Sequence, residues 1–264
     1  MFKKNQNKNI VFYASEKVLA AFPLPDRAGK FLPSWYKSCP THNGDYFAST
    51  VKRCIPFRES LMNGFIIPLW HDAHFKIAEA SDGKSYLSCV QSRAPEKIGQ
   101  ETDLADAPSL PTTGLISYHP SEQYADYAKI DKKAYPNYAH VVKFHSPYTI
   151  QTPKGWSILM KPVANDFASP VVPFEAVIDT DRYCGKINLP CFIRAQEKEF
   201  SMPLGTPLVQ VIPFKREKVT IKREKYTEET LKKFDIELLK FATMLQGQYQ
   251  KFWWHRTQEH NEKR

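Results

Sequence analysis

Glycine is scarce in this chain, with 10 among 264 residues against 20 prolines. No P-loop, dinucleotide-binding glycine motif or Gly-x-Ser-x-Gly elbow occurs, which removes the commonest nucleotide-fold and hydrolase signatures. No apolar run approaches the roughly 20 residues that a helix needs to cross a bilayer, so the sequence predicts no integral membrane protein and no membrane partner. The opening Met1-Phe-Lys-Lys-Asn-Gln-Asn-Lys is basic and polar, with no long apolar stretch behind it. The expectation is a cytoplasmic protein without a secretory signal. The five cysteines, Cys39, Cys54, Cys89, Cys184 and Cys191, are odd in number and form no Cys-x-x-Cys pair. That disfavours both a disulfide framework and a structural zinc site, and reads as reduced, half-buried thiols.

The composition is that of a globular protein, 42% apolar and 13% aromatic, too apolar for disorder. The formal charge is +9. Residues 214–264 carry 13 Lys and Arg against 8 Asp and Glu. Such a basic tail is either a solvated face or an attraction for nucleic acid or another anionic surface.

Prolines recur up to Pro213 and then stop. Because proline breaks helices and sits at strand edges and turns, the sequence before that point reads as short strands and loops. Ile10-Val-Phe-Tyr begins a Pro-punctuated arm over residues 1–49. Strand patterns follow at Gly64-Phe-Ile-Ile-Pro-Leu-Trp, Phe75-Lys-Ile-Ala-Glu and Tyr86-Leu-Ser-Cys-Val, with Ser81-Asp-Gly-Lys as a hairpin turn. Residues 92–135 read as a polar loop insertion. Strands return at Val141-Val-Lys-Phe, Tyr148-Thr-Ile-Gln, Trp156-Ser-Ile-Leu-Met, Phe174-Glu-Ala-Val-Ile-Asp, Gly185-Lys-Ile-Asn-Leu and Leu208-Val-Gln-Val-Ile. Regular short strands without intervening helices predict a mainly β sandwich or barrel.

Residues 214–264 read as a basic strand and helix extension. The Lys215 to Lys225 run alternates charge with Val219 and Ile221, the pattern of an edge strand guarded by lysines. Thr227 caps a predicted helix whose first turn holds Glu228 and Glu229. Leu231, Phe234, Leu238, Phe241, Leu245, Tyr249 and Phe252 then recur at helical spacing, one apolar stripe over roughly 25 residues. The stripe packs either on its own β core or on another subunit.

Four segments carry the functional information. They are Gly64-Phe-Ile-Ile-Pro-Leu-Trp-His-Asp, Thr152-Pro-Lys-Gly-Trp-Ser-Ile-Leu-Met-Lys-Pro, Ala176-Val-Ile-Asp-Thr-Asp-Arg-Tyr-Cys-Gly-Lys-Ile-Asn-Leu and Leu204-Gly-Thr-Pro-Leu-Val-Gln-Val-Ile. Their order resembles the motif series of the dUTPase and dCTP deaminase superfamily, over residues 64–213. The third segment is the most specific. It is similar to that superfamily's Gly-Val-Ile-Asp-x-Asp-Tyr-x-Gly hairpin with one residue, Arg182, inserted. The fourth matches in the spacing of Gly205 and Gln210. The whole chain also resembles a family of proteins from bacteria and their phages.

The first resemblance implies a mainly β, β-clip (dUTPase-like) core at 50–213 between the N-terminal arm and the C-terminal helix. It further implies a homo-oligomer and a deoxynucleotide ligand with Mg²⁺ as cofactor, with phosphoanhydride hydrolysis as the activity. Asp179 would then be the base that deprotonates the attacking water, as such chemistry requires. Tyr183 would pack under the sugar and Gln210 would donate to a phosphate. Lys161 and Asp181 would complete the substrate contacts. If the chain is phage-encoded, the host cytoplasm or the virion is its place.

The departures are equally specific. Pro162 stands where the superfamily has a phosphate-binding serine, and the glycine-rich C-terminal arm is replaced by an aromatic, basic stretch. Ile187-Asn-Leu-Pro lacks the deaminase glutamate, and Pro190-Cys-Phe-Ile-Arg lacks a zinc deaminase's second cysteine. The alternative is therefore a non-enzymatic β-clip protein, a phage structural or host-interaction component. In it, Asp179 and Asp181 only bond nearby backbone N–H groups. His71, His74, His119 and His145 are weak metal candidates, since residues 71 and 74 of one strand face opposite sides.

Overall fold

The computed structural model describes residues 9–44, 50–79, 81, 85–91, 116–119, 123 and 140–243. They are mainly β, and their strands pair antiparallel. The chain divides into two units, Met1–Pro33 with Leu61–Arg216, and Ser34–Ser60 with Glu217–Arg264.

In the first unit one sheet runs in the order β1 (Val11–Tyr13), β7 (Val141–Gln151), β11 (Lys186–Ile193), β9 (Val171–Pro173). There β6 (Ile116–Tyr118) also pairs with β7. A second sheet runs β10 (Ala176–Ile178), β8 (Trp156–Lys161), β13 (Pro207–Lys215), β3 (Phe65–Pro68), β2 (Asp26–Arg27). A third holds β12 (Glu199–Met202), β4 (Ala73–Glu79) and β5 (Ser85–Gln91). The short helix α1 (Glu16–Ala21) is capped by Ser15, whose hydroxyl accepts from the Val18 N–H.

The strand alternation of the sequence builds one core from all three sheets. Ile67, Phe75, Phe144, Tyr148, Ile158, Met160, Leu189 and Val209 are buried together. Each such aliphatic or phenylalanine side chain contributes about 1.5–3 kcal/mol on leaving water. The buried Tyr148 phenol donates to the Pro23 carbonyl at 2.9 Å, so even its polar end is satisfied.

Two strand patterns, at Val141 and Tyr148, merge into the single β7. Its interior Pro147 is accommodated because the β7–β11 register slips there. Lys186 faces Thr149 while Asn188 faces His145, so the proline occupies a bulge, where its missing N–H costs no ladder bond. The 92–135 insertion lies outside the described residues except for 116–119 and 123, as does most of the Ser81 turn.

In the second unit, Ser34–Ser60 holds α2 (Ser34–Ser38), a 3₁₀ turn at Val51–Arg53 and the start of α3 (Ile55–Met62). Trp35, Tyr36 and Phe57 pack edge-on or tilted at centroid separations of 5.7–6.1 Å. The Lys52 ammonium lies 4.5 Å from the Tyr36 ring centroid and donates to the Tyr36 carbonyl at 2.6 Å. In the C-terminal part the edge strand expected from the Lys215 run is not formed. The strand β13 stops at Lys215, and residues 216–227 belong to no strand or helix. The helix α4 (Glu228–Thr243) begins where the sequence places it, with the Thr227 hydroxyl accepting from the Thr230 N–H. Its Leu231, Phe234 and Leu238 are exposed. The helix has 16 residues, so the expected length of roughly 25 is not supported, and the continuation of the stripe through Phe252 lies outside the described residues.

Gly64 has a left-handed backbone, with φ of 72°, and a Cβ there would lie 2.2 Å from the Val211 carbonyl oxygen. Gly205 has φ of 84° but open space around it. Gly64→Ala is therefore expected to destabilise the protein by about 3 kcal/mol or more. Gly205→Ala should cost only about 1–2 kcal/mol for the left-handed backbone. Urea denaturation of the two variants checks the difference.

Candidate functional site

The acidic hairpin grows directly from sheet register. Ile178 of β10 pairs with Ile158 of β8, so the next residue, Asp179, emerges beside Ser157. On the other flank of β8, Phe214 of β13 pairs with Ser157, so the strand end delivers Arg216 to the same place. The turn closes through the Arg182 and Tyr183 N–H groups, which donate to the Asp179 carbonyl at 3.0 and 2.9 Å. Beneath it Thr152 and Thr180 join their hydroxyls at 2.8 Å, and Thr152 donates to the Trp156 carbonyl.

Arg216 is the centre of this arrangement. Its Nη1 and Nη2 donate to the two carboxylate oxygens of Asp181 at 2.9 and 2.5 Å. Nη1 also lies 3.0 Å from Oδ1 of Asp179 and donates to the Ser157 hydroxyl at 2.8 Å. Ser157 in turn donates to Asp179 Oδ1 at 2.6 Å. The Gly155 N–H donates to Asp181 Oδ2 at 2.8 Å, and the Arg216 N–H donates back to the Gly155 carbonyl at 2.8 Å. Side-chain exposure separates the two acids, at 3% for Asp181 and 51% for Asp179.

The electrostatics follow. The hydrogen-bonded Arg216 guanidinium, and then the Gly155 N–H, hold the Asp181 carboxyl down to about 2. The Ser157 hydroxyl first, and Arg216 second, lower the Asp179 carboxyl as well. Both acids are thus firmly ionised and weakly basic. The acids in turn raise the Arg216 guanidinium, Asp181 most strongly.

Tyr183 is 48% exposed, and its hydroxyl donates to the Lys186 carbonyl at 3.1 Å. Its ring leaves no room beside Gly185, where a Cβ would lie 2.5 Å from the phenol oxygen. Lys161 and Gln210 meet elsewhere. Gln210 is buried, accepting from the Ala164 N–H at 2.9 Å and donating to the Asn63 carbonyl at 2.6 Å. The Lys161 ammonium donates to the Pro162 carbonyl at 2.8 Å and lies 3.5 Å from the Gln210 side-chain oxygen. Burial lowers the Lys161 ammonium, with nearby Glu175 opposing.

Gln210 pairs with Lys161 at one end of β8, and Phe214 pairs with Ser157 near the other. Four residues of strand, about 13 Å, therefore separate the two groups. Asp179, Asp181 and Tyr183 share one hairpin; Lys161 and Gln210 do not join it.

Among the described residues the hairpin gathers no set of carboxylates that would by itself hold the Mg²⁺ that the sequence resemblance implies. A magnesium ion needs carboxylate oxygens free to enter an octahedral shell. Here Asp181 accepts three hydrogen bonds and Asp179 Oδ1 accepts two, with the guanidinium between them. Among the described residues no group of three or more His, Cys, Asp or Glu side chains could hold a metal. The candidate histidines are engaged separately. Buried His71 donates from Nδ1 to the Asp72 carbonyl, His74 bonds Ser201 and Glu199, and His145 bonds Ser117 and Asn188.

Sequence reasoning missed Arg216 and Ser157. Ser157 lies inside the second segment, and Arg216 follows β13 in a charge run, where nothing local distinguishes it from its neighbouring lysines.

No family model matches the chain, and no curated protein matches it. Among solved structures, it is similar to a mutant dUTPase from phage phi11 of S. aureus, described with the coordination of a structural Mg(II) ion. The identity is 13%, over 33% of this chain and 74% of that one, at a TM-score of 0.27. It is also similar to native EIAV dUTPase, at 15% identity over 33% of this chain and 68% of that one, with a TM-score of 0.24.

The lowered Asp181 carboxyl makes stability depend on acid. A group with an ordinary value of 3.8 when unfolded and about 2 when folded stabilises the fold fully above about pH 4. That contribution is lost as pH falls towards 2. Melting temperature measured from pH 6 to pH 2 should therefore fall more steeply below pH 4 in the native protein than in Asp181→Asn, which starts lower and lacks this component.

Proposed function

We propose that this chain is a non-enzymatic β-clip-like protein, a structural or host-interaction component that assembles with copies of itself. The observation that carries the reading is the Arg216 ion pair. One guanidinium binds Asp181 through both nitrogens and also reaches Asp179. A general base works best when its pKa lies near the operating pH, whereas Asp179 is lowered by Ser157 and Arg216. Gln210, the phosphate donor of the resemblance, spends both ends of its amide inside the protein. Together these support a hairpin used as a structural lock. The exposed apolar residues of α4 supply surface for assembly.

One observation favours a second reading, in which the hairpin docks a deoxynucleotide without hydrolysing it. Asp179 and Tyr183 both remain about half exposed on the same turn. They offer a hydrogen-bond acceptor and a ring face, the two elements that recognise a nucleoside.

Thermal melting with Mg²⁺ and each deoxynucleoside triphosphate, dUTP included, separates the readings. A ligand at a hundred times its Kd adds about 2.7 kcal/mol, a shift of several degrees. The first reading expects no shift with any nucleotide. A concentration-dependent rise that Tyr183→Ala abolishes establishes the second, and release of pyrophosphate abolished by Asp179→Asn overturns both. A monomer at every concentration in a solution mass measurement overturns the assembly.

A further inference from the structure

The strand β10 is the last of its sheet, paired on one side with β8. Among the described residues its other edge has no strand partner in that sheet, and the residues along it alternate cleanly. Glu175, Val177 and Asp179 are exposed, Val177 at 62%, while Ala176 and Ile178 turn towards the core. An open edge of this kind is a template for another strand.

A segment with the matching pattern stands unused. Lys218-Val-Thr-Ile-Lys222 has two β-branched apolar residues between lysines, yet it belongs to no strand. Val219 is 83% exposed and Ile221 81%. The β-branched residues Val, Thr and Ile are strong strand formers, and here they have no sheet to join.

We propose that Lys218–Lys222 adds as an antiparallel strand to the open edge of β10 in a second copy of this chain. In that register Lys222 stands opposite Glu175, Ile221 opposite Ala176, Thr220 opposite Val177, Val219 opposite Ile178 and Lys218 opposite Asp179. Both faces match at once. Side chains directly opposite one another share a face, so Ile221 and Val219 extend the core side beside Ala176 and Ile178. The lysines meet the two acids on the solvent side. A shift by one residue would put lysines on the core side and lose both matches. The antiparallel sense is chosen because its ladder is slightly the more stable.

Chain reach places the pairing in trans. Lys215 ends β13, and three residues later comes Lys218. Those three residues span at most about 11 Å. The slot beyond β10 lies three strand spacings from β13, about 14 Å. Lys222 is engaged by Glu224 in the single chain, both side chains being well exposed, and a solvated pair of this sort exchanges at little cost.

This inference deepens the assembly reading, and its test separates the two. The full chain is analysed by sedimentation over a range of concentrations. Thr220→Pro removes an N–H from the arm without touching the first unit, and Glu175→Lys reverses one edge charge. Each variant should weaken self-association about tenfold while circular dichroism is unchanged. The double variant Glu175→Lys, Lys222→Glu should recover most of the loss. Association untouched by Thr220→Pro overturns the strand pairing and leaves the assembly reading standing. Loss on Glu175→Lys that Lys222→Glu fails to restore overturns the antiparallel register.

Discussion

The hairpin depends on one guanidinium. Arg216 receives its position from the β8–β13 ladder and then binds the turn that follows β10. It thereby ties three consecutive strands of one sheet at the same end. Two carboxylates this close would repel one another without it, and the Asp181 charge indeed pushes the Asp179 carboxyl up against the lowering by Ser157 and Arg216. The largely covered Asp181 carboxylate is tolerable because it accepts three hydrogen bonds and its charge is paired, conditions that keep such an acid ionised. The arrangement is planar and bidentate, which lysine cannot reproduce.

That constraint decides what the acids can do. A hydrolytic carboxylate must be able to take a proton and must find water held against a phosphate. A carboxylate that accepts from a hydroxyl and a guanidinium has given up part of its basicity to the fold. The strand that leads into Arg216 carries Gln210 four residues before the Ser157 pairing position, and the β8 register separates them by strand rise alone. So one ladder both assembles the hairpin lock and keeps the Lys161–Gln210 pair away from it.

Much of the fold was legible in the sequence because its cause is local. Alternating apolar residues and turn residues located most strands, and Thr227 with two glutamates marked the start of α4. The sequence reads β7 as two pieces because Pro147 signals a break locally, whereas the bulge that admits it is made with β11, more than thirty residues away. The hairpin was legible as a motif, in the order Asp179, Asp181, Tyr183 and Gly185. Its chemistry was not, because Arg216 follows Asp181 by 35 residues and meets it only through sheet order. Lone arginines in a charge run carry no local mark of a long-range partner. Gln210 shows the converse, a residue with a recognisable spacing whose amide is consumed by Asn63 and Ala164.

The arm at Lys218–Lys222 shows where local propensity stops deciding structure. Val219, Thr220 and Ile221 favour a strand, but a strand is stable only when its backbone groups find a neighbour and its apolar face finds a core. Within a single sheet the neighbours are already assigned, and β13 ends at Lys215. The lysines then do two things at once. They keep an unpaired β-prone segment soluble, as edge lysines do, and they restrict the edges it can join to those flanked by acids. The edge of β10 is flanked by Glu175 and Asp179, and Asp179 uses Oδ1 for Ser157 and Arg216 while half its side chain remains exposed. The carboxylate that helps lock the hairpin therefore also gives the neighbouring strand edge its charge.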